Sequence, residues 1–430
     1  METLYLARYL VPISGAALEG GALAVRHGQI VDLGTIKDMT AAHPRAAVVD
    51  FGDDSVLLPP LVNAHTHLEL THFPQWAAQR GDQSTPGDFV DWILRIIRVK
   101  RAVDPDLFAV SLREGIRASL AAGTGAVGDI LSWLPARSQY GNAPLYGRLY
   151  LETLGLDPAN NRKLLRNLGK IAEECLAGRL RLGLAPHSSY NLSGEYLEMI
   201  FNYARRHGLP LSTHLAESSA EVQFLMDSSG PIAERLYPMV GWRDMLPPAA
   251  RRRPVAYLAE RGGLVPDNLL VHGVRVDAHD CEEIARAGAS VVLCPRSNQC
   301  LGVGLAPLED YLATGVNLAL GTDSLASNDS LSVWDELAFA RQAFAGRLAP
   351  LDLLRMATCN GARALGLGSE MGSLAPRMGA HFQVLRAGSL PTFGDLEEFL
   401  VSPGRTAEVR ALYLAGREVN FALDPSSEVC

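Results

Sequence analysis

Leu61-Val62-Asn63-Ala64-His65-Thr66-His67-Leu68-Glu69 is an apolar run that ends in two histidines one residue apart. Successive side chains of an extended backbone alternate between faces, so His65 and His67 project to the same side of a strand end. Two imidazoles placed this way supply half of a metal site, or are two polar groups where a strand leaves the core. The rest of the chain decides between these.

Downstream of this run, short apolar stretches alternate with longer helical patterns, which points to βα units and a parallel sheet. Strands are expected at 57–63, 125–130, 145–151, 180–185, 209–214, 269–272, 290–294 and 316–321. Helical patterns at 105–122, 160–177, 194–207, 277–287 and 331–345 separate most of them. Eight parallel strands with intervening helices make a closed (β/α)8 barrel of the TIM type. The rival, a doubly wound open sheet, would carry a Gly-x-Gly-x-x-Gly turn after an early strand, and none is present.

Both ends of the chain read differently. Residues 1–56 alternate short apolar runs with turn residues, and 382–385 and 411–416 have the same texture. Neither end suffices alone, so one small β domain is expected from 1–56 together with 373–430, flanking a barrel over 57–372. Residues 64–104 and 228–266 are long insertions, and either is placed to cover the barrel mouth.

Composition bounds the function. The chain has 430 residues, 48% hydrophobic and 20% charged, with mean hydropathy +0.07. That suffices for a core able to bury an active site. The net charge is −8 and the densest basic cluster is Arg251-Arg252-Arg253, which argues against nucleic acid as a partner. Six cysteines, at 175, 281, 294, 300, 359 and 430, form no Cys-x-x-Cys pair and no disulfide framework. No apolar run approaches the roughly 20 residues of a membrane helix, and no signal peptide is evident. A cytoplasmic location without membrane partners is the expectation.

In a barrel of this kind the chemistry sits at the carboxyl ends of the strands. There the sequence places His65 and His67, then Ser212-Thr213-His214, Val271-His272-Gly273 and Gly321-Thr322-Asp323. Four histidines and a carboxylate on one rim suit Zn²⁺, and also Fe²⁺ or Mn²⁺. Glu217, three residues after His214, is within reach of a metal-bound water as a proton shuttle, or stabilises the start of the next helix. Phe73, Trp76, Phe89 and Trp92 in the first insertion are candidates for stacking on a ring or for loop core.

These segments, with Ala185-Pro186-His187-Ser188-Ser189-Tyr190 and Cys294-Pro295-Arg296-Ser297-Asn298, resemble the amidohydrolase superfamily, in its mononuclear, cytosine-deaminase-like and chlorohydrolase branch. The resemblance spans nearly the whole chain and implies a small β-sandwich from both termini. By position it implies His65, His67, His214 and Asp323 as ligands of one divalent ion. It implies Glu217, His272 and Asp323 as catalytic groups, and His187, Arg296 and Asn298 as substrate-binding ones. No lysine ends strand four, which favours one metal over two. Pro60 and His381 depart from the family pattern, standing where a glycine and an aspartate are common.

Within the branch the resemblance is strongest to deaminases of modified adenosines, such as aminodeoxyfutalosine, methylthioadenosine or adenosylhomocysteine. The implied activity is hydrolytic deamination of a cyclic amidine, releasing the 6-amino group as ammonia. The alternatives are related chemistry on guanine, cytosine or a chlorotriazine, and, from another class, a non-catalytic metal-binding scaffold. Arg296 either meets a carboxylate on the substrate, whose geometry a guanidinium matches, or forms a salt bridge at the barrel rim. Family analogy leaves homo-oligomerisation open.

Overall fold

The computed structural model describes residues 1–82, 86–173 and 179–421. Eight parallel strands form its centre: β1 (Leu61–Thr66), β2 (Thr124–Leu131), β3 (Tyr146–Thr153), β4 (Arg179–Pro186), β5 (Leu211–Leu215), β6 (Asn268–His272), β7 (Ser290–Leu293) and β8 (Asn317–Leu320). They pair in chain order, and a parallel bridge between Thr66 and Asp323 joins the last to the first. At that seam the Asp323 amide donates to the His65 carbonyl at 3.1 Å. The Thr322 amide donates to the Asn63 side chain at 3.0 Å. This is the expected (β/α)8 barrel.

Strands β1, β2, β5 and β6 are buried at every position. Continuous apolar runs are what a parallel sheet covered on both faces requires. The covering helices carry one-sided stripes. In Gly194–His207 the buried residues are Tyr196, Leu197, Ile200, Phe201 and Ala204, a 3.6-residue repeat. Ser193 caps its start and Gly208, with φ 62°, ends it. Close approach between strands demands glycine at Gly147, where φ is +130° and a Cβ would stand 1.9 Å from the Val127 carbonyl oxygen.

A second sheet draws on both ends of the chain. Its strand order is Arg417–Glu418, Glu408–Leu414, Phe382–Arg386, Ser55–Leu58, Glu2–Leu10, Leu18–Arg26 and Gln29–Thr35, with Ala47–Asp50 also paired to Glu2–Leu10. Tyr5, Phe382 and Tyr413 form its aromatic core, the last two stacked at 4.5 Å. One expectation is corrected here. Residues 57–63 are not a single strand, because Ser55–Leu58 pairs with Phe382–Arg386 in the terminal sheet and only Leu61–Thr66 enters the barrel. Pro59 and Pro60 lie between them, and proline has no amide hydrogen to continue a ladder.

Cys281, Cys294, Cys300 and Cys359 are free thiols, while Cys175 and Cys430 lie outside the described residues. No helix among the described residues is long and apolar enough to cross a membrane.

His381 reports on the junction of the two sheets. Its ring stands edge-on to Tyr146 of β3 at 4.6 Å, and its Nδ1 accepts from the Ala415 amide at 3.3 Å. Burial, with a smaller contribution from Arg179, pushes its pKa down to about 4. The unfolded imidazole binds its proton near pH 6.5, so this group favours the fold above that pH and the benefit is lost as pH falls toward 4. Folding stability from this site should drop by about 2 kcal/mol between pH 7 and pH 5. Urea unfolding at both values should show a smaller drop in His381→Gln, and an identical drop would contradict this assignment.

Candidate active site

The carboxyl ends of the strands carry the polar residues, and local backbone geometry aims them. Ala216 just past β5, His272 at the end of β6 and Asp323 just past β8 have φ of 53°, 73° and 56°. His272 sits at the centre of a γ-turn in which the Gly273 amide donates back to the Val271 carbonyl at 3.1 Å. Left-handed backbone at non-glycine residues costs on the order of 1–3 kcal/mol each and gathers at functional sites.

His65, His67, His214 and Asp323 converge at the barrel mouth. His214 Nδ1–H donates to the His187 carbonyl at 2.9 Å, which leaves its Nε2 as a lone pair. That Nε2 lies 3.4 Å from His67 Nε2. Asp323 Oδ1 is 3.7 Å from His65 Nε2 and 3.6 Å from His67 Nε2. Both ring nitrogens of His65 are buried without a hydrogen-bond partner. The second carboxylate oxygen, Oδ2, accepts from the Ser297 and Ser327 hydroxyls at 2.7 Å each, which turns Oδ1 toward the histidines. Buried lone pairs that face each other without a proton between them are the pattern that a divalent cation satisfies. The donor set therefore fits one ion, with Asp323 charged. Burial alone would raise the Asp323 pKa, but the imidazoles of His65, His67 and His272 hold it well below the usual carboxylate range. Burial pushes His67 and His214 far down, so both are neutral and available as ligands.

Glu217 and His272 form the neighbouring unit. Glu217 Oε1 lies 3.5 Å from His272 Nε2, and it has no hydrogen-bond partner. His272 Nδ1–H donates to Asn298 Oδ1 at 2.9 Å, so its Nε2 faces Glu217 as a lone pair. Burial, then Asp323 and Glu221, raises the Glu217 pKa well above the carboxylate range. Its surroundings therefore favour the protonated carboxyl over the carboxylate. Beneath it, Glu221 accepts from the Glu217 amide and from Ser189 Oγ, each at 2.9 Å.

His187, Glu217 and His272 face a cavity of about 430 Å³. Asn191 Nδ2 donates to His187 Nδ1 at 2.9 Å, so the proton of His187 is on Nε2, 3.9 Å from Glu152 Oε1. Both long insertions wall this cavity. The helix Phe89–Ala102 contributes Trp92, Ile93, Ile96 and Ile97, and the second insertion contributes Leu236, Val240 and Trp242. Arg235 clasps the two together, donating to Asp91 at 2.7 Å and to Asp88.

Each expected site residue can now be placed. His65, His67, His214, Asp323, Glu217, His272 and His187 gather at one mouth, and Asn298 touches that group through His272. Arg296 stands apart. Its guanidinium pairs with Asp329 and, at 3.6 Å, with Asp335, and it does not line the cavity. Of the four aromatics in the first insertion only Trp92 lines it. Phe73 and Trp76 pack in a separate buried cluster, and Phe89 lies in the main core.

Sequence reasoning missed Ser297, Ser327 and Glu221. The two serines lie inside or beside quoted motifs, yet a serine on a rim carries no mark of its partner. Ser218-x-x-Glu221 reads as an ordinary capping pair, and Ser218 does cap the Glu221 amide at 3.2 Å. The Glu221 carboxylate instead reaches the Glu217 amide.

Residues 56–419 match the amidohydrolase family. An aminodeoxyfutalosine deaminase of Deinococcus radiodurans is 33% identical over 371 residues, 82% of this chain and 83% of its own. A 5-methylthioadenosine/S-adenosylhomocysteine deaminase of Syntrophobacter fumaroxidans is 30% identical over 432 residues, 94% of this chain and 89% of its own. Among solved structures, an adenosine deaminase from Xanthomonas campestris with bound zinc is similar at a TM-score of 0.78 and 26% identity, with 97% of this chain and 92% of that one covered.

Asp323→Ala and His214→Ala should each lose bound divalent metal by elemental analysis, whereas Arg296→Gln should keep it. Added Zn²⁺ should raise the melting temperature of the wild type and of Arg296→Gln but not of the two ligand variants, because an ion at a thousandfold its Kd stabilises the native state by about 4 kcal/mol. Full metal content in both ligand variants would refute this site.

Proposed function

The chain belongs to the amidohydrolase family, and from that premise we propose that it is a metal-dependent deaminase that hydrolyses the 6-amino group of an adenosine-type nucleoside. The observation that carries this reading is a buried Glu217 whose Oε1, without a hydrogen-bond partner, lies 3.5 Å from His272 Nε2, both opening with the His/Asp cluster into one cavity with largely apolar walls. His65, His67, His214 and Asp323 would hold one divalent ion, and zinc is the choice, since the similar adenosine deaminase structure contains it. When bound, such an ion supplies a water whose pKa falls from 15.7 to about 7.

Hydrolysis at C6 adds water across the C6–N1 bond of the ring, so one group must receive the proton of water and another must protonate N1. Glu217, whose pKa is raised by burial, gives its proton to N1, which makes C6 electrophilic. Asp323 Oδ1, the oxygen turned toward the histidines, would also accept the proton of the attacking water on its remaining lone pair, because the two serines occupy Oδ2. The His272 Nε2 lone pair orients the same water, its ring fixed by Asn298. His187 Nε2–H is a donor toward the substrate, held in that tautomer by Asn191. Collapse of the tetrahedral adduct expels the exocyclic nitrogen, which takes the proton held by Asp323 and leaves as ammonia, while the C6 hydroxyl returns its proton to Glu217 and becomes the carbonyl. Trp92 and the isoleucines behind it limit bulk water in the cavity.

The net charge of −8 and the absence of a basic tract support a small-molecule substrate over nucleic acid. In assays for ammonia, the zinc-loaded protein should act on adenosine derivatives and leave guanine, cytosine and a chlorotriazine untouched. Glu217→Gln should retain fold and metal but lose roughly a thousandfold or more in kcat, the scale of a lost proton-transfer group. Undiminished turnover in that variant would rule out the proton role of Glu217.

A further inference from the structure

We propose that Arg101 reads a carboxylate at the outer end of the substrate, so that the site takes adenosine-type nucleosides whose sugar carries an apolar extension ending in that anion. This rests on the deaminase reading above and narrows its substrate class.

The helix Phe89–Ala102 builds one wall of the cavity with Trp92, Ile93, Ile96 and Ile97. Arg101 follows Ile97 by four positions, so it shares that face one turn further along. The second insertion faces it with Leu236, Val240 and Trp242, all apolar or aromatic. Between the reacting residues and the rim there is thus an apolar sleeve, and polarity returns at the exposed Arg101.

Its guanidinium is unspoken for. The adjacent Lys100 donates to Ser132 Oγ at 2.6 Å and to Glu69 at 3.3 Å, so its charge is already matched. Arg296 is held by Asp329 and Asp335. Glu152, a carboxylate that also lines the cavity, forms no ion pair with Arg101 and lies 3.9 Å from His187 instead. Among the described residues the Arg101 side chain makes no hydrogen bond or ion pair, although it lines the cavity. A guanidinium presents two parallel N–H donors that match a carboxylate. The same fork matches a phosphate, but a phosphate carries more charge and gathers several donors, whereas a single guanidinium at an apolar exit suits a singly charged group.

The test compares the zinc-loaded wild type, Arg101→Gln and Arg101→Lys on four nucleosides. These are aminodeoxyfutalosine, whose tail ends in an aryl carboxylate, its methyl ester, methylthioadenosine and adenosine 5′-monophosphate. The wild type should show its highest kcat/KM with the free carboxylate. In Arg101→Gln the ratio of acid to ester should fall roughly tenfold, as for a partly screened charged pair, and chiefly through KM because the contact is remote from C6. Arg101→Lys should recover part of the ratio, and high salt should lower it in the wild type. An unchanged ratio in Arg101→Gln, an equal loss on all substrates, or a wild type that prefers the ester or methylthioadenosine would each overturn the proposal. Preference for the monophosphate would replace the carboxylate with a phosphate. A metal-loaded wild type silent on all four would instead defeat the deaminase reading, and this inference with it.

Discussion

Facing lone pairs at the barrel mouth are the constraint on which the rest of the molecule depends. His67 and His214 present Nε2 atoms 3.4 Å apart, and both nitrogens of His65 are buried without a partner. Such an arrangement is unfavourable in an empty protein, and it persists only if the scaffold imposes it. The closed barrel does so. The seam between β8 and β1 ties Asp323 to His65 through backbone hydrogen bonding, and the γ-turn at His272 fixes a third strand end. Polar neighbours then set each tautomer, as the His187 carbonyl does for His214 and Asn298 for His272.

From this cluster the chemistry grades outward in a definite order. Asp323 lies among the imidazoles, Glu217 stands beside His272, and the apolar walls from both insertions enclose the approach. The pKa values of these two carboxylates are driven in opposite directions by their surroundings, one down by imidazoles and one up by burial. That separation is what assigns a base and an acid within a single pocket.

Much of this was legible in the sequence because barrel strands are buried on both sides. Their apolar runs end where the chemistry begins, so His65, His67, His214, His272 and Asp323 announce themselves as strand-end residues. The limits of legibility are equally physical. Pro59-Pro60 divides an unbroken apolar run between two sheets, and hydropathy does not register the missing amides. Arg296 was expected at the substrate, but a long side chain goes where its partner is, and Asp329 lies 33 positions away. Nothing in the sequence marks Arg101 as different from other helical surface charges, because that the isoleucines before it line a cavity is set by the fold. Glu221 keeps a capping spacing while its carboxylate serves the residue before the cap.

Titration of the metal-free protein with Zn²⁺, with ammonia release from an adenosine derivative followed at each addition, bears most directly on the central claim. One ion held by His65, His67, His214 and Asp323 predicts turnover that rises linearly from zero and levels off at one equivalent per chain. Turnover in the metal-free protein, or a rise that continues to two equivalents, would contradict it.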